Sequence, residues 1–178
     1  MTTEAVARAL ARATAVLEKR PSAGLHDDAP GLAVWRGGVA TVTRHPSGFE
    51  APTDMPGDLG GAGEGVSPGW MVRAGLAACT TTLIAMVAAE EGVKLETLEV
   101  RADSRSDTRG ALGMTEADGS AVYPGPHDGL TMHVWISAPG VSSERLQALV
   151  EKANRRAPMS AALRDAQVLD LRITTGDA

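Results

Sequence analysis

Apolar and polar positions along this chain fall into segments of different period, and one segment has no polar face. From Ser67 to Glu91 the residues are apolar or small at nearly every position, with Arg73 and the threonines 80–82 as the main exceptions. That pattern belongs to a helix covered on all sides. Ser67 suits an N-cap, Pro68 the first helical position and Gly92 the stop. Such a helix is roughly 36 Å long.

Around it the patterns are amphipathic. Ala5, Val6, Ala9, Leu10, Ala13, Val16 and Leu17 recur at helical spacing over residues 3–20, and Pro21 ends that helix. Between Leu32 and Pro52, short β-type runs are split by Gly37-Gly38 and by Pro46-Ser47-Gly48, which predicts an antiparallel meander of two or three strands. Leu98, Val100 and Ala102 alternate with polar neighbours, as do Leu130, Met132, Val134 and Ile136, so two further strands each lay one face on a core. His133 then points away from that core. Ser142 or Ser143 caps a helix carrying Leu146, Leu149, Val150 and Ala153, Pro158 opens a short helical turn, and Leu169, Leu171 and Ile173 alternate in a predicted closing strand. The order of elements predicts an α+β fold with antiparallel sheet. One small sheet covers only one side of the central helix, and a dimer whose subunits share their helices supplies the rest.

Composition narrows the function. With 178 residues, 43 % hydrophobic and only 3 % aromatic, the chain fits one domain with a small-residue aliphatic core. A net charge of −5 speaks against a nucleic-acid partner. The single cysteine, Cys79, excludes an internal disulfide and points to a reducing, cytoplasmic setting. Glu4, Arg8 and Arg12 interrupt any leader-like apolar run, and Arg73, the threonines and Glu90-Glu91 argue against a membrane span. His26, Asp27 and Asp28 are consecutive and so poorly arranged to face one metal. The glycine-rich run 58–65 lacks the Lys-Ser or Lys-Thr of a phosphate loop and the preceding parallel strand of a dinucleotide site. Neither a metal nor another cofactor is expected. Residues 104–129 are too many for a bland connection, so this segment is predicted to border a pocket through Tyr123 or His127.

The run Asp58-Leu-Gly-Gly-Ala-Gly-Glu-Gly-Val-Ser-Pro68, followed by a helix with Cys79 eleven residues after Pro68, resembles the OsmC and organic hydroperoxide resistance (Ohr) proteins. The strand entry Gly92-Val-x-Leu-x-x-Leu-x-Val100 and the helix-then-strand ending are similar too. The resemblance covers residues 32–174 of a single domain spanning 1–178, with 1–25 as an N-terminal helical extension. It implies an OsmC-like fold, with antiparallel sheets packed on long central helices in an intertwined homodimer that carries two sites at its interface. It also implies a peroxidatic cysteine acting on organic hydroperoxides. Cys79 falls on that position, and Arg36, ahead of Gly37-Gly38, matches the activating arginine. Arg44 is a second cation beside these strands.

Two positions depart from the resemblance. The glutamate that holds the arginine follows the proline, where this chain has Gly69 and then Trp70; Glu64 is the candidate substitute. A resolving cysteine precedes a late proline, where this chain has Ala157 before Pro158. An ordinary cysteine thiol is only about 3 % ionised at neutral pH, so the chemistry needs a cation close by. Arg73 is about 120° round the helix from Cys79, which leaves Arg36 as the better candidate.

Three readings follow. The first is a one-cysteine peroxidase restored by an external thiol reductant. The second is a protein of the same fold that binds a small apolar ligand, with Trp70 at the mouth of its pocket. The third is a different cysteine-dependent enzyme, such as an acyl transferase or hydrolase; no histidine lies at a spacing that marks it as a base for Cys79.

Overall fold

Helix α1 (Thr3–Lys19) begins the fold in a computed structural model that describes residues 2–165 and 167–176. Its first half rests on the central helix through Val6 and Leu10, which are half-buried, while Ala13, Val16 and Leu17 farther along the same stripe are exposed. Strands β1 (Leu32–Gly37), β2 (Ala40–Arg44) and β3 (Glu50–Thr53) form an antiparallel sheet in that order. Gly37 and Gly38 turn the first hairpin at φ of 109° and 54°, values that a side chain would strain. This sheet reaches the rest of the chain through a Thr53–Val66 bridge and a Thr43 Oγ1 contact of 3.8 Å to Met71 Sδ. Trp35 and Phe49 remain exposed on it.

Helix α2 (Pro68–Glu90) is capped as the sequence predicts, with Ser67 Oγ accepting the Trp70 N–H at 3.2 Å. Strands β4 (Thr97–Ser106) and β5 (Pro126–Ser137) pair antiparallel, joined by a segment holding the short helix α3 (Thr108–Ala111). Their register sets Leu98 opposite Ile136 and Val100 opposite Val134 on one face, and Arg101 opposite His133 on the other. His133 faces outward as predicted, stacks on Trp135 at 5.9 Å between ring centroids, and lies 3.7 Å from Asp103. Helices α4 (Ser143–Arg156) and α5 (Pro158–Arg164) follow.

The core forms where α2 meets the apolar face of β4–β5 and the inner face of α4. Ile84, Val87, Leu149 and Ala153 are fully enclosed there. Arg156 ties the ends of α4 and α2 together with a two-pronged ion pair to Glu90 at 2.6 and 2.8 Å.

One expectation needs correction. The closing strand does not form: residues 167–175 pair with neither sheet among the described residues, and Val168, Leu169, Leu171 and Ile173 are 76–94 % exposed. Alternation shows which face of a segment is apolar, but a strand also needs a free edge within reach, and here no edge of this chain takes it. Within one chain α2 is covered on only part of its surface, as expected for a helix packed on one small sheet. Only Leu76, Thr80, Ile84, Val87, Ala88 and Ala89 are buried along it, and Val72 is 62 % exposed.

Candidate functional site

The start of α2 is set by the glycine-rich loop before it, which Asp54 organises. That carboxylate is almost wholly buried at the end of β3 and accepts the backbone N–H groups of Met55 at 2.8 Å, Ala62 at 2.9 Å and Glu64 at 3.3 Å. These bonds, the one from Met55 foremost, hold its pKa below the ordinary 3.8. Gly61 and Gly65 pass so close to the backbone of Met55 and Thr53 that neither has room for a Cβ. The glycines therefore serve close backbone approach, and the loop delivers Val66 and Ser67 to the helix cap.

Cys79 is half-buried near the middle of α2. Leu76 and Thr80 beside it turn inward, with Thr80 Oγ1 at 3.4 Å from Met132 Sδ on β5. Val72, seven residues earlier and so only about 20° round the helix, shares the face of Cys79 and is exposed. The cysteine therefore sits at the border between the core-facing stripe of α2 and a face this chain leaves uncovered.

The structure places the other candidate residues as follows. Arg36 is exposed on β1 and makes no side-chain hydrogen bond or ion pair among the described residues. Arg44 is paired with Glu50 at 2.7 Å on the same sheet. Glu64 is exposed, and within this chain it is held through its backbone N–H on Asp54. Trp70 is half exposed and, nine residues before Cys79, stands on the opposite side of the helix, not at a mouth shared with it. Tyr123 and His127 meet edge to face at 6.0 Å, but they border different hollows: Tyr123 one against α2, His127 one beside Arg105 and Arg109. Ala157, where the resemblance expects a resolving cysteine, is fully buried. Among the described residues no three of His, Cys, Asp and Glu converge on a metal-sized site.

Three residues here, Asp54, Asn154 and Ser160, and one contact of Arg73 are not picked out by the sequence. Asp54 could have been sensed as an acid ahead of a glycine run rich in free N–H groups. Arg73 donates to Ser104 Oγ at 3.2 Å across to β4, a contact that sequence spacing does not encode. Asn154 and Ser160 each carry a buried oxygen without a hydrogen-bond partner among the described residues, and the sequence gives no sign of it.

Comparison with known proteins agrees with this architecture. A family model described as OsmC-like protein matches residues 61–172. An organic hydroperoxide resistance protein of Xanthomonas axonopodis pv. citri (strain 306) is 32 % identical over 117 residues, 65 % of this chain and 72 % of that protein. Among solved structures, an organic hydroperoxide resistance protein OsmC from Legionella pneumophila superposes with a TM-score of 0.58 at 25 % identity, over 78 % of this chain and 92 % of its own. An OsmC-like protein from Mycoplasma pneumoniae gives 0.64 at 18 % identity over 79 % and 89 %, a likeness of fold.

Proposed function

The chain belongs to the OsmC-like protein family, and from that premise we propose that it is a one-cysteine thiol peroxidase acting on organic hydroperoxides in the cytoplasm. The observation that carries this reading is the position of Cys79, the only thiol, half-buried at the open edge of α2 instead of sealed in the core. The thiolate attacks the outer oxygen of ROOH; the O–O bond breaks, RO⁻ takes a proton and leaves as ROH, and the sulfur becomes a sulfenic acid. With Ala157 in place of a second cysteine, an external thiol condenses with the sulfenic acid, releasing water and forming a mixed disulfide. A second external thiol releases Cys79 and departs as part of a disulfide.

The cation that favours the thiolate comes from a second copy of the chain. Arg36 lies on a sheet that leaves Trp35 and Phe49 exposed, and α2 leaves Val72 and its neighbours uncovered within one subunit. An intertwined homodimer that lays β1 of one subunit near Cys79 of the other covers both. The test is reduction of cumene hydroperoxide with dithiothreitol as the thiol, followed by mass spectrometry for oxygen on Cys79. Cys79→Ser abolishes turnover and Arg36→Ala slows it at least tenfold, consistent with loss of one charge-assisted contact. Oxidation of Cys79 no faster than that of free cysteine sinks the peroxidase reading.

A further inference from the structure

Among the described residues three lysine or arginine side chains are half-buried: Arg44, Arg73 and Lys152. Two of them have a carboxylate alongside, Glu50 at 2.7 Å from Arg44 and Glu91 at 3.0 Å from Lys152. Arg73 forms no ion pair among the described residues. Its polar partner there is the neutral hydroxyl of Ser104, which accepts one guanidinium N–H at 3.2 Å. A charge drawn out of water costs free energy unless an opposite charge or a full set of hydrogen bonds replaces the water. The fold meets that cost at Arg44 and Lys152 and leaves it open at Arg73.

There is also room for the missing charge. Gly69 lies one turn before Arg73, and a Cβ built on it would stand 3.5 Å from Arg73 Nη1 and meet no other listed group within 4 Å. The first turn of α2 carries no acidic residue. No side chain of the helix therefore fills the ground beside the guanidinium, and most of its planar fork is left to a ligand. That fork matches the two oxygens of a carboxylate.

Arg73 precedes Cys79 by six residues, roughly 9 Å along the axis. A molecule that touches both must span about the extended length of three residues. The proposed reaction has one step for which this chain supplies no group. Ala157 stands where a resolving cysteine would, so the thiol that reduces the sulfenic acid must be drawn from solution. We propose that Arg73 holds the carboxylate of that thiol, a peptide-sized molecule, while its sulfur meets Cys79. The purpose of the thiol rests on the peroxidase reading, but its docking does not, and the docking is tested without peroxide.

The probes are oxidised glutathione, which bears carboxylates, and its tetraethyl ester, which bears none. With either, the Cys79 thiolate attacks one sulfur and the S–S bond breaks. Half of the probe leaves as a thiolate, and the other half stays on Cys79 as a mixed disulfide, whose growth is followed by mass spectrometry. N-acetylcysteine amide in solution gives the reference ratio of the two rates. In the parent the ratio of acid to ester is expected to exceed that reference about tenfold or more, the share of one charged contact. Arg73→Gln should bring it within about threefold of the reference and leave the ester rate unchanged, and Arg73→Lys should restore part of the preference. Gly69→Glu, which offers Arg73 a carboxylate from its own helix, should remove the preference as well. Circular dichroism verifies the fold of each variant. No reaction of Cys79 with either probe, a parent ratio at the reference value, or a preference that survives Arg73→Gln overturns the proposal. If the preference is found and no hydroperoxide oxidises Cys79, the docking stands and the peroxidase reading falls.

Discussion

A Cβ added to Gly69 would stand 3.5 Å from Nη1 of Arg73, one turn farther along α2. The position that holds a glutamate in the resembling proteins is therefore overlooked by an arginine of the same helix. Glutamate at 69 would sit four residues before Arg73 and in the first turn, where both the ion pair and the helix dipole favour it. Gly69→Glu is expected to stabilise the fold by about 1 kcal/mol, raising Tm by about 2–4 °C. It is not expected to raise peroxidase activity, because Arg73 takes the new carboxylate before Arg36 can. Adding Arg73→Ala should release that carboxylate and make the gain from Gly69→Glu smaller by the pair's share, about 0.2–0.5 kcal/mol, while the propensity and dipole shares persist. A gain in Tm that is indifferent to Arg73 contradicts the pairing.

Burial along α2 separates two kinds of position. Ile84 is fully enclosed against Leu149, so Ile84→Ala should cost about 2–5 kcal/mol in urea unfolding through lost transfer energy and an unfilled cavity. Val72→Ala, on the open face, should cost under about 0.5 kcal/mol in a dissociated subunit and more at concentrations where the proposed dimer forms. A Val72 cost independent of protein concentration would show that nothing covers the cysteine face.

These contrasts show what was legible in the chain. Ser67, Pro68 and Gly92 mark the ends of α2 because capping is local chemistry, and the alternation around Val100 and Val134 gives the faces of β4 and β5 because the pleat has period two. The cover of α2 was only half legible. Its composition says that every face wants apolar contact, but not whether the same chain provides it, and Val72 shows that it does not. Leu169 and Ile173 fail for the same reason, since a strand pattern names no pairing partner. In the site, Cys79 stood out as the lone thiol. The Arg73–Ser104 bond and the unpaired oxygens of Asn154 and Ser160 depend on how distant segments meet, which no local pattern records.

Asp54 gives a pH dependence with a definite sign. Its backbone bonds lower its pKa in the fold, so folding favours the charged form. The stabilisation is complete above the ordinary carboxylate value and fades as pH falls through the lowered one. Asp54→Asn, which keeps the shape but loses charge-assisted acceptors, should already be less stable at pH 7. Below pH ~4 its Tm should fall less steeply than that of the parent, although Glu90, lowered by Arg156, keeps part of the slope. Parallel Tm curves for the two proteins from pH 7 to pH 3 would remove Asp54 as the organiser of the loop.

The exposed end of the chain tests the proposed dimer. Leu169, Leu171 and Ile173 alternate with Asp170 and Arg172, so an extended segment presents one apolar edge, and it is bare in the single subunit. Such an edge is an invitation to pair with another chain. Leu169→Asp/Ile173→Asp changes only positions that are 89 % and 78 % exposed, so a lone subunit should keep its helix content and lose under about 0.5 kcal/mol. At an interface the same two carboxylates would be buried without partners, a penalty large enough to separate the subunits. Sedimentation at micromolar concentration should therefore show the parent at twice the chain mass of 18.4 kDa and the double variant at the chain mass itself. Asp170→Asn, on the other face of the segment, should leave the dimer intact. If the double variant remains a dimer, this segment does not cross to a partner, and the open faces of α2 and of the β1–β3 sheet must be covered by some other contact.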